Sequence, residues 1–181
     1  MAKANISTGS LVNLKKLDAL IKKADILIVG RECGMTYICN GHWVVRVRLP
    51  EDAAVRATIF SRLGAFPEDG TALECRNKGS LPYSLANLKK FFADPFYAVC
   101  TDTHLSHDLG DKEVRVFDCN DQGQRCYIGI DRVYFSMINQ YAKAAAQKCA
   151  KSCSVLFTAN YDEVALILPV NYTGNEYLSR V

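Results

Sequence analysis

Hydrophobic positions recur along this chain with two periods. Between Leu11 and Lys23, the residues Leu14, Leu17, Leu20 and Ile21 fall on one helical face, and Lys15, Lys16, Lys22 and Lys23 fall away from it. This spacing predicts an amphipathic helix, with Ser10 placed to cap its orphan N–H groups. Three strands are expected next, at Ile26 to Gly30, Met35 to Cys39 and His42 to Leu49. Asn40-Gly41 between the last two suits a type I′ hairpin, in which both central residues need positive φ. In the third strand Trp43, Val45, Val47 and Leu49 alternate with His42, Val44, Arg46 and Arg48, which predicts a sheet with one apolar and one largely cationic face.

The pattern then turns helical from Pro50 to Leu63, with Glu51 and Asp52 at the positive end and Gly64 as the stop. Ala65 to Gly70 reads as loop and Ala72 to Asn77 as strand, and Ser84 opens a helix through Phe92 that Asp94-Pro95 ends. Strands are expected at Phe96 to Thr101, Glu113 to Cys119 and Arg125 to Ile130, separated by loops that contain His and Asp. The longest predicted helix runs from Arg132 to Lys151. Its apolar face is Tyr134, Ile138, Tyr141, Ala145 and Cys149, and Lys143, Gln147 and Lys151 form another face. A closing hairpin, Ser154 to Thr158 and Glu163 to Val170, surrounds Asn160-Tyr161-Asp162.

The chain also repeats itself. Ser10-Leu11-Val12-Asn13-Leu14-Lys15-Lys16-Leu17 returns as Ser84-Leu85-Ala86-Asn87-Leu88-Lys89-Lys90-Phe91. A helix with paired lysines, three strands and a second helix follow in the same order each time. The expected class is therefore α+β, with antiparallel sheets, packed helices and an internally duplicated α-β-β-β-α unit, in halves 1–71 and 72–181 of one domain. Such helices place Lys15, Lys16, Lys89 and Lys90 in pseudo-symmetric positions. This pattern, together with Val155-Leu156-Phe157 and Val164-Ala165-Leu166-Ile167-Leu168-Pro169-Val170, resembles a domain of a DNA sliding clamp, which implies helix charges that face a duplex.

Composition narrows the class without naming a reaction. Hydrophobic residues make up 49% and charged residues 23% of 181 residues, ordinary globular values. No apolar run approaches the roughly 20 residues of a membrane span, and no secretion signal precedes Ser10, so a reducing bacterial cytoplasm is the expected compartment. In that setting the sequons at Asn5 and Asn171 carry no meaning. The eight cysteines lack zinc spacing and read as small buried hydrophobes.

Candidate chemistry is sparse. There is no nucleophile elbow and no phosphate loop, and no cofactor or catalytic group is expected. Asp102-Thr103-His104-Leu105-Ser106-His107-Asp108 offers two imidazoles among carboxylates, so a metal-dependent enzyme using His104 and His107 is one hypothesis, although the stretch reads as a solvated loop. The net charge is only +3. Yet Lys15, Lys16, Lys22, Lys23, Arg46, Arg48, Lys89, Lys90, Lys143 and Lys151 all fall on predicted exposed faces, which suits sequence-independent contact with the phosphates of double-stranded DNA.

From Met1 to Tyr172 the chain looks like an anti-CRISPR protein of the type II-A class. That resemblance implies a phage or mobile-element protein that binds the RNA-guided type II effector nuclease, with or without guide RNA, and blocks DNA cleavage. Simple duplex mimicry asks for a strongly acidic surface, which a chain at +3 lacks. The expected division is basic helices toward nucleic acid and Asp108, Asp111, Asp118 and Asp121 toward the basic nuclease. The alternative is a clamp-like, non-catalytic DNA-binding accessory protein.

Overall fold

The structure is a computed structural model that describes residues 10–76, 79–93, 96, 98–121, 123–146, 154–159 and 162–170. Helix α1 (Leu14–Lys23) begins after Asn13, whose Oδ1 accepts the N–H groups of Lys15 and Lys16 at 3.1 and 3.2 Å. Asn13, and not Ser10, is thus the cap. The residues before it run alongside a distant segment: Asn13 donates to the Met137 carbonyl at 2.7 Å, and Asn139 donates to that of Leu11 at 2.9 Å.

Strands β1 (Ile26–Glu32), β2 (Met35–Cys39) and β3 (Trp43–Val47) follow as two hairpins. The type I′ geometry expected at Asn40-Gly41 occurs one hairpin earlier, where Cys33 and Gly34 both have positive φ, 51° and 76°. At the second turn only Gly41 does, and Asn40 instead accepts the N–H groups of His42 and Trp43 through its side chain at 2.9 and 3.0 Å. Helix α2 (Ala54–Leu63) ends at Gly64, left-handed at φ 75°, as its sequence predicts, and its start lies at Ala54 rather than Pro50.

Strands β4 (Ala72–Arg76) and β5 (Ser80–Tyr83) form a hairpin whose second strand the sequence did not announce. Pro82 hides it, yet β5 pairs only with β4 among the described strands, and an edge tolerates a missing N–H. Helix α3 (Leu85–Lys90) packs over β1 at Gly30, where a side chain would meet Leu85 Cδ1 at 2.7 Å and Leu88 Cδ1 at 3.0 Å.

Strand β6 (Ala98–Asp108) runs straight through the residues read as a loop, and pairs with β7 (Glu113–Asp121), which pairs with β8 (Gln124–Asp131). The predicted long helix is reduced to α4 (Arg132–Phe135), after which Lys143 to Ala146 form β9. Small alanines fit either state, and here the open edges of β6 and of β10 (Val155–Thr158) claim them for the sheet. β11 (Val164–Ile167) completes the closing hairpin. Residues 147–153, and with them Lys151 and the end of the expected helix, lie outside the described residues, as do Asn5, Asp94-Pro95, Asn160-Tyr161 and Asn171.

The eleven described strands form one antiparallel sheet in the order β5-β4-β1-β2-β3-β11-β10-β9-β6-β7-β8. The runs β5-β4-β1-β2-β3 and β10-β9-β6-β7-β8 have the same succession of connections, and β11 lies between their ends. Side chains alternate between two cores. Leu27, Val29, Trp43, Val45, Phe117, Ile128 and Phe157 pack with Leu17 and Ile21 of α1 and Ile59 of α2, whereas Ile28, Tyr37 and Val44 face the opposite way, with Leu88 of α3. α1 and α3 therefore cover opposite faces of the sheet, although both carry the Leu-Lys-Lys of the repeated segment. No described helix is long and apolar enough to cross a membrane.

Candidate functional site

The most distinctive local geometry is a break in β6. Ser106, His107 and Asp108 pair with Arg115, Val114 and Glu113, but Asp102 then pairs with Phe117, so Thr103, His104 and Leu105 occupy the length that Val116 alone takes on β7. This bulge holds His104 at φ 62°, a region that non-glycine residues rarely enter.

Arg115 closes the bulge. Its Nε and Nη2 donate to the two carboxylate oxygens of Asp102 at 2.7 and 2.8 Å, and its Nη1 donates to the His104 carbonyl at 3.1 Å. Nη2 also lies 2.8 Å from His104 Nδ1. Because a guanidinium only donates, that nitrogen accepts, which places the proton of a neutral imidazole on Nε2. The 3.6 Å approach of the same nitrogen to Asp102 is then no ion pair. Burial pushes the Asp102 carboxyl up, but hydrogen bonds from Arg115 and from the His104 N–H outweigh it and hold the group below the usual range. Four of the five N–H groups of Arg115 are used internally, so it fixes the bulge and does not await an anion.

Beside this clasp lies a cavity of about 880 Å³, within the range of ligand pockets. Phe117, Phe135 and Phe157 form its aromatic part, with ring centroids 5.4 to 5.8 Å apart. Asn139, Gln140 and Lys143 add polar groups, and Cys100 contributes sulfur. Cys100 is joined to Cys119 by a disulfide, so this pair departs from the reading of the cysteines as separate small hydrophobes.

The slip sets the partner of Cys100. Extending the register of Ser106, His107 and Asp108 without the slip, with Thr103, His104 and Leu105 all paired in turn, would set Cys100 opposite Asp121 instead of Cys119. No single-strand pattern could have revealed the Asp102–Arg115 clasp or this pairing, since both depend on where β6 slips against β7.

The predicted basic set does not assemble on one face. Lys15, Lys16, Lys22 and Lys23 lie on α1, and Lys22 pairs with Asp18 at 2.6 Å. Lys89 and Lys90 lie on α3, on the other side of the sheet, where Lys89 pairs with Glu32 at 3.0 Å. On that same side Arg46 donates to the Asp162 carbonyl at 2.9 Å and sits over the Phe92 ring, while Arg48 pairs with Asp162 at 3.2 Å. Lys143 stands apart, on β9 at the cavity.

The acidic set is also divided. Asp108 and Asp111 belong to the β6–β7 turn, where Asp108 accepts the Gly110 N–H at 2.8 Å and Asp111 lies 3.8 Å from Lys112. Asp121 ends β7 roughly 27 Å away along the strand, and Asp118 near it is gripped by Arg125. His104 and His107 do not gather with other ligand types into a metal-holding group among the described residues. No family model, curated protein or solved structure matches this chain.

Proposed function

We propose that this protein is a clamp-like, non-catalytic accessory protein of a phage or mobile element that rests on double-stranded DNA through the α1 side of its sheet. The observation that supports this reading is the repeated succession of strands, β5-β4-β1-β2-β3 and β10-β9-β6-β7-β8, joined through β11. Two related units, 10–83 and 84–158, account for that succession and for the repeated lysine helices, a division twelve residues later than 1–71 and 72–181. Joined edge to edge, they make a broad platform on which α1 and α2 form an outer layer. Lys15, Lys16 and Lys23 are exposed there, and mobile cations of this kind hold phosphates without reading sequence.

Retention of a 30-base-pair duplex, measured by fluorescence anisotropy across a salt series, tests this. Lys15→Glu/Lys16→Glu/Lys23→Glu is expected to abolish retention at low salt, and Lys89→Glu/Lys90→Glu, on the other face, to leave it nearly unchanged. Equal behaviour of the two variants, or no retention by the parent protein at low salt, overturns the reading.

The second proposal is an inhibitor that binds the RNA-guided type II effector nuclease. The feature that favours it is the exposed β6–β7 turn with Asp108 and Asp111, which suits a positively charged nucleic-acid channel. Co-elution with guide-loaded nuclease and loss of DNA cleavage, both removed by Asp108→Lys/Asp111→Lys, is its expected result. Neither effect across several nuclease orthologues sinks it.

A further inference from the structure

The far half of the sheet is rolled. Phe117 on β7 and Phe157 on β10 have β9 and β6 between them, which in a flat sheet would set them about 14 Å apart, yet their ring centroids are 5.6 Å apart. Just past β11, the Val170 N–H donates to the Gly129 carbonyl of β8 at 2.9 Å, so the strands from β11 to β8 curl until the last meets the continuation of the first. This wall has a slot. β9 ends at Lys143, opposite Thr158 of β10, and its last partner on β6 is Cys100, so from Thr101 onward β6 and β10 have no described strand between them. The cavity of about 880 Å³ opens there.

Side-chain alternation sorts the lining by face. Phe157 and Ala144 are opposed and pack on the larger core, so their neighbours Thr158 and Lys143 lie on the outer face. Inside, the half-buried Phe135 ring borders the cavity, with the fully buried Phe117 and Phe157 behind it at 5.4 and 5.8 Å. Outside, Lys143 is exposed and its ammonium makes no ion pair among the described residues. Asp102 is the one acid among the described lining residues, and Arg115 already neutralises it. We infer that the slot is a binding site for a small aromatic carboxylate, whose ring enters against Phe135 and whose anionic end stays at the mouth with Lys143.

Each part of the ligand answers a part of the site. The three rings already meet edge-on or tilted, and a fourth ring finds the same kind of partner in Phe135, a contact that gains more than the area it buries. An aliphatic chain fills the space without that gain. With the Asp102–Arg115 pair neutral, Lys143 leaves the lining one positive charge in excess, which favours an anion. His104 also lines the cavity, and because its Nδ1 accepts from Arg115, its Nε2 carries a proton that can be donated to a carboxylate. Nothing in this site rests on DNA contact, since Lys143 lies on the face opposite α1.

Calorimetric titration of the full chain with naphthoate, with its neutral carboxamide and with octanoate tests the assignment. One-site binding of naphthoate is expected, roughly ten-fold tighter than that of either the neutral amide or the aliphatic acid. Lys143→Glu should remove the preference for naphthoate over its amide, and Lys143→Arg should keep it. Phe135→Ala should weaken naphthoate and its amide alike. No saturable binding of naphthoate up to about 1 mM overturns the site, and so does a preference for the anion that persists in Lys143→Glu. Equal binding of the amide overturns the role of the charge, and equal binding of octanoate overturns the aromatic class. If Phe135→Ala fails to fold, the Lys143 variants, at an exposed position, decide with the parent protein.

Discussion

The carboxylate of Glu163 accepts the backbone N–H of Leu11 at 2.8 Å, across 152 positions of sequence. Its other oxygen accepts the N–H of Arg48 at 3.3 Å, so one buried side chain ties the segment before α1 to the end of β3 and the start of β11. Removing the carboxylate leaves two backbone donors without their partner. Glu163→Ala should therefore cost about 3 kcal/mol, or roughly 6 to 12 °C in Tm. A loss below about 0.5 kcal/mol in thermal or urea unfolding would show that the junction is held elsewhere.

Gly30 is defined by proximity rather than by its backbone angle. A Cβ there would stand 2.7 Å from Leu85, 3.0 Å from Leu88 and 3.1 Å from Ala72, so Gly30→Ala should push α3 off β1. The expected cost is about 1 to 3 kcal/mol, with faster amide exchange confined to α3 and its neighbours. Adding Leu85→Ala should recover part of the loss, because it removes the nearest atom. A Gly30→Ala protein as stable as the parent contradicts the packing of α3 at this point.

The bulge absorbs two surplus residues of β6. Deleting His104 and Leu105 lets Thr103 face Val116 while Ser106 keeps Arg115, so Cys100 stays opposite Cys119. The disulfide should therefore form without the bulge, and thiol titration under denaturing, non-reducing conditions should find the same number of thiols as in the parent protein. Two more thiols would mean that β6 needs these residues to set its register against β7.

Asp102 couples stability to pH. Its folded-state pKa lies below the unfolded value because, against the upward push of burial, hydrogen bonds from Arg115 and His104 favour the charged form. The stabilisation is thus complete above the unfolded pKa and is lost as pH falls through the folded one. With both side chains partly exposed, the clasp is worth about 1 kcal/mol. The stability difference between the parent and Asp102→Asn should be present at pH 6 and shrink steadily below pH 4. A difference that grows on acidification would reverse the assignment.

Much of the first half was legible because its signals are local. α1 follows from the spacing of Leu17, Leu20 and Ile21, and α2 stops at Gly64 because only a left-handed residue closes it there. The second half was less legible, since Ala142 to Ala146 satisfy a helical pattern and a buried strand equally well. The site was barely legible: its basic residues were identified as exposed on α1 and α3, but nothing in the repeat said that these helices cover opposite faces of the sheet.

The sequence by itself determined that α1, α2 and the first three strands form, that α1 has one apolar face, and that a lysine-bearing helix occurs twice. Those properties depend on neighbours within a few residues, through caps, turn residues and side-chain alternation. The tertiary structure alone decided that β9 is a strand, that α1 and α3 part company, and that Cys100 faces Cys119 across a bulge. Each of these depends on which edge a segment meets, and strand pairing is fixed by hydrogen bonds and packing between residues far apart in the chain.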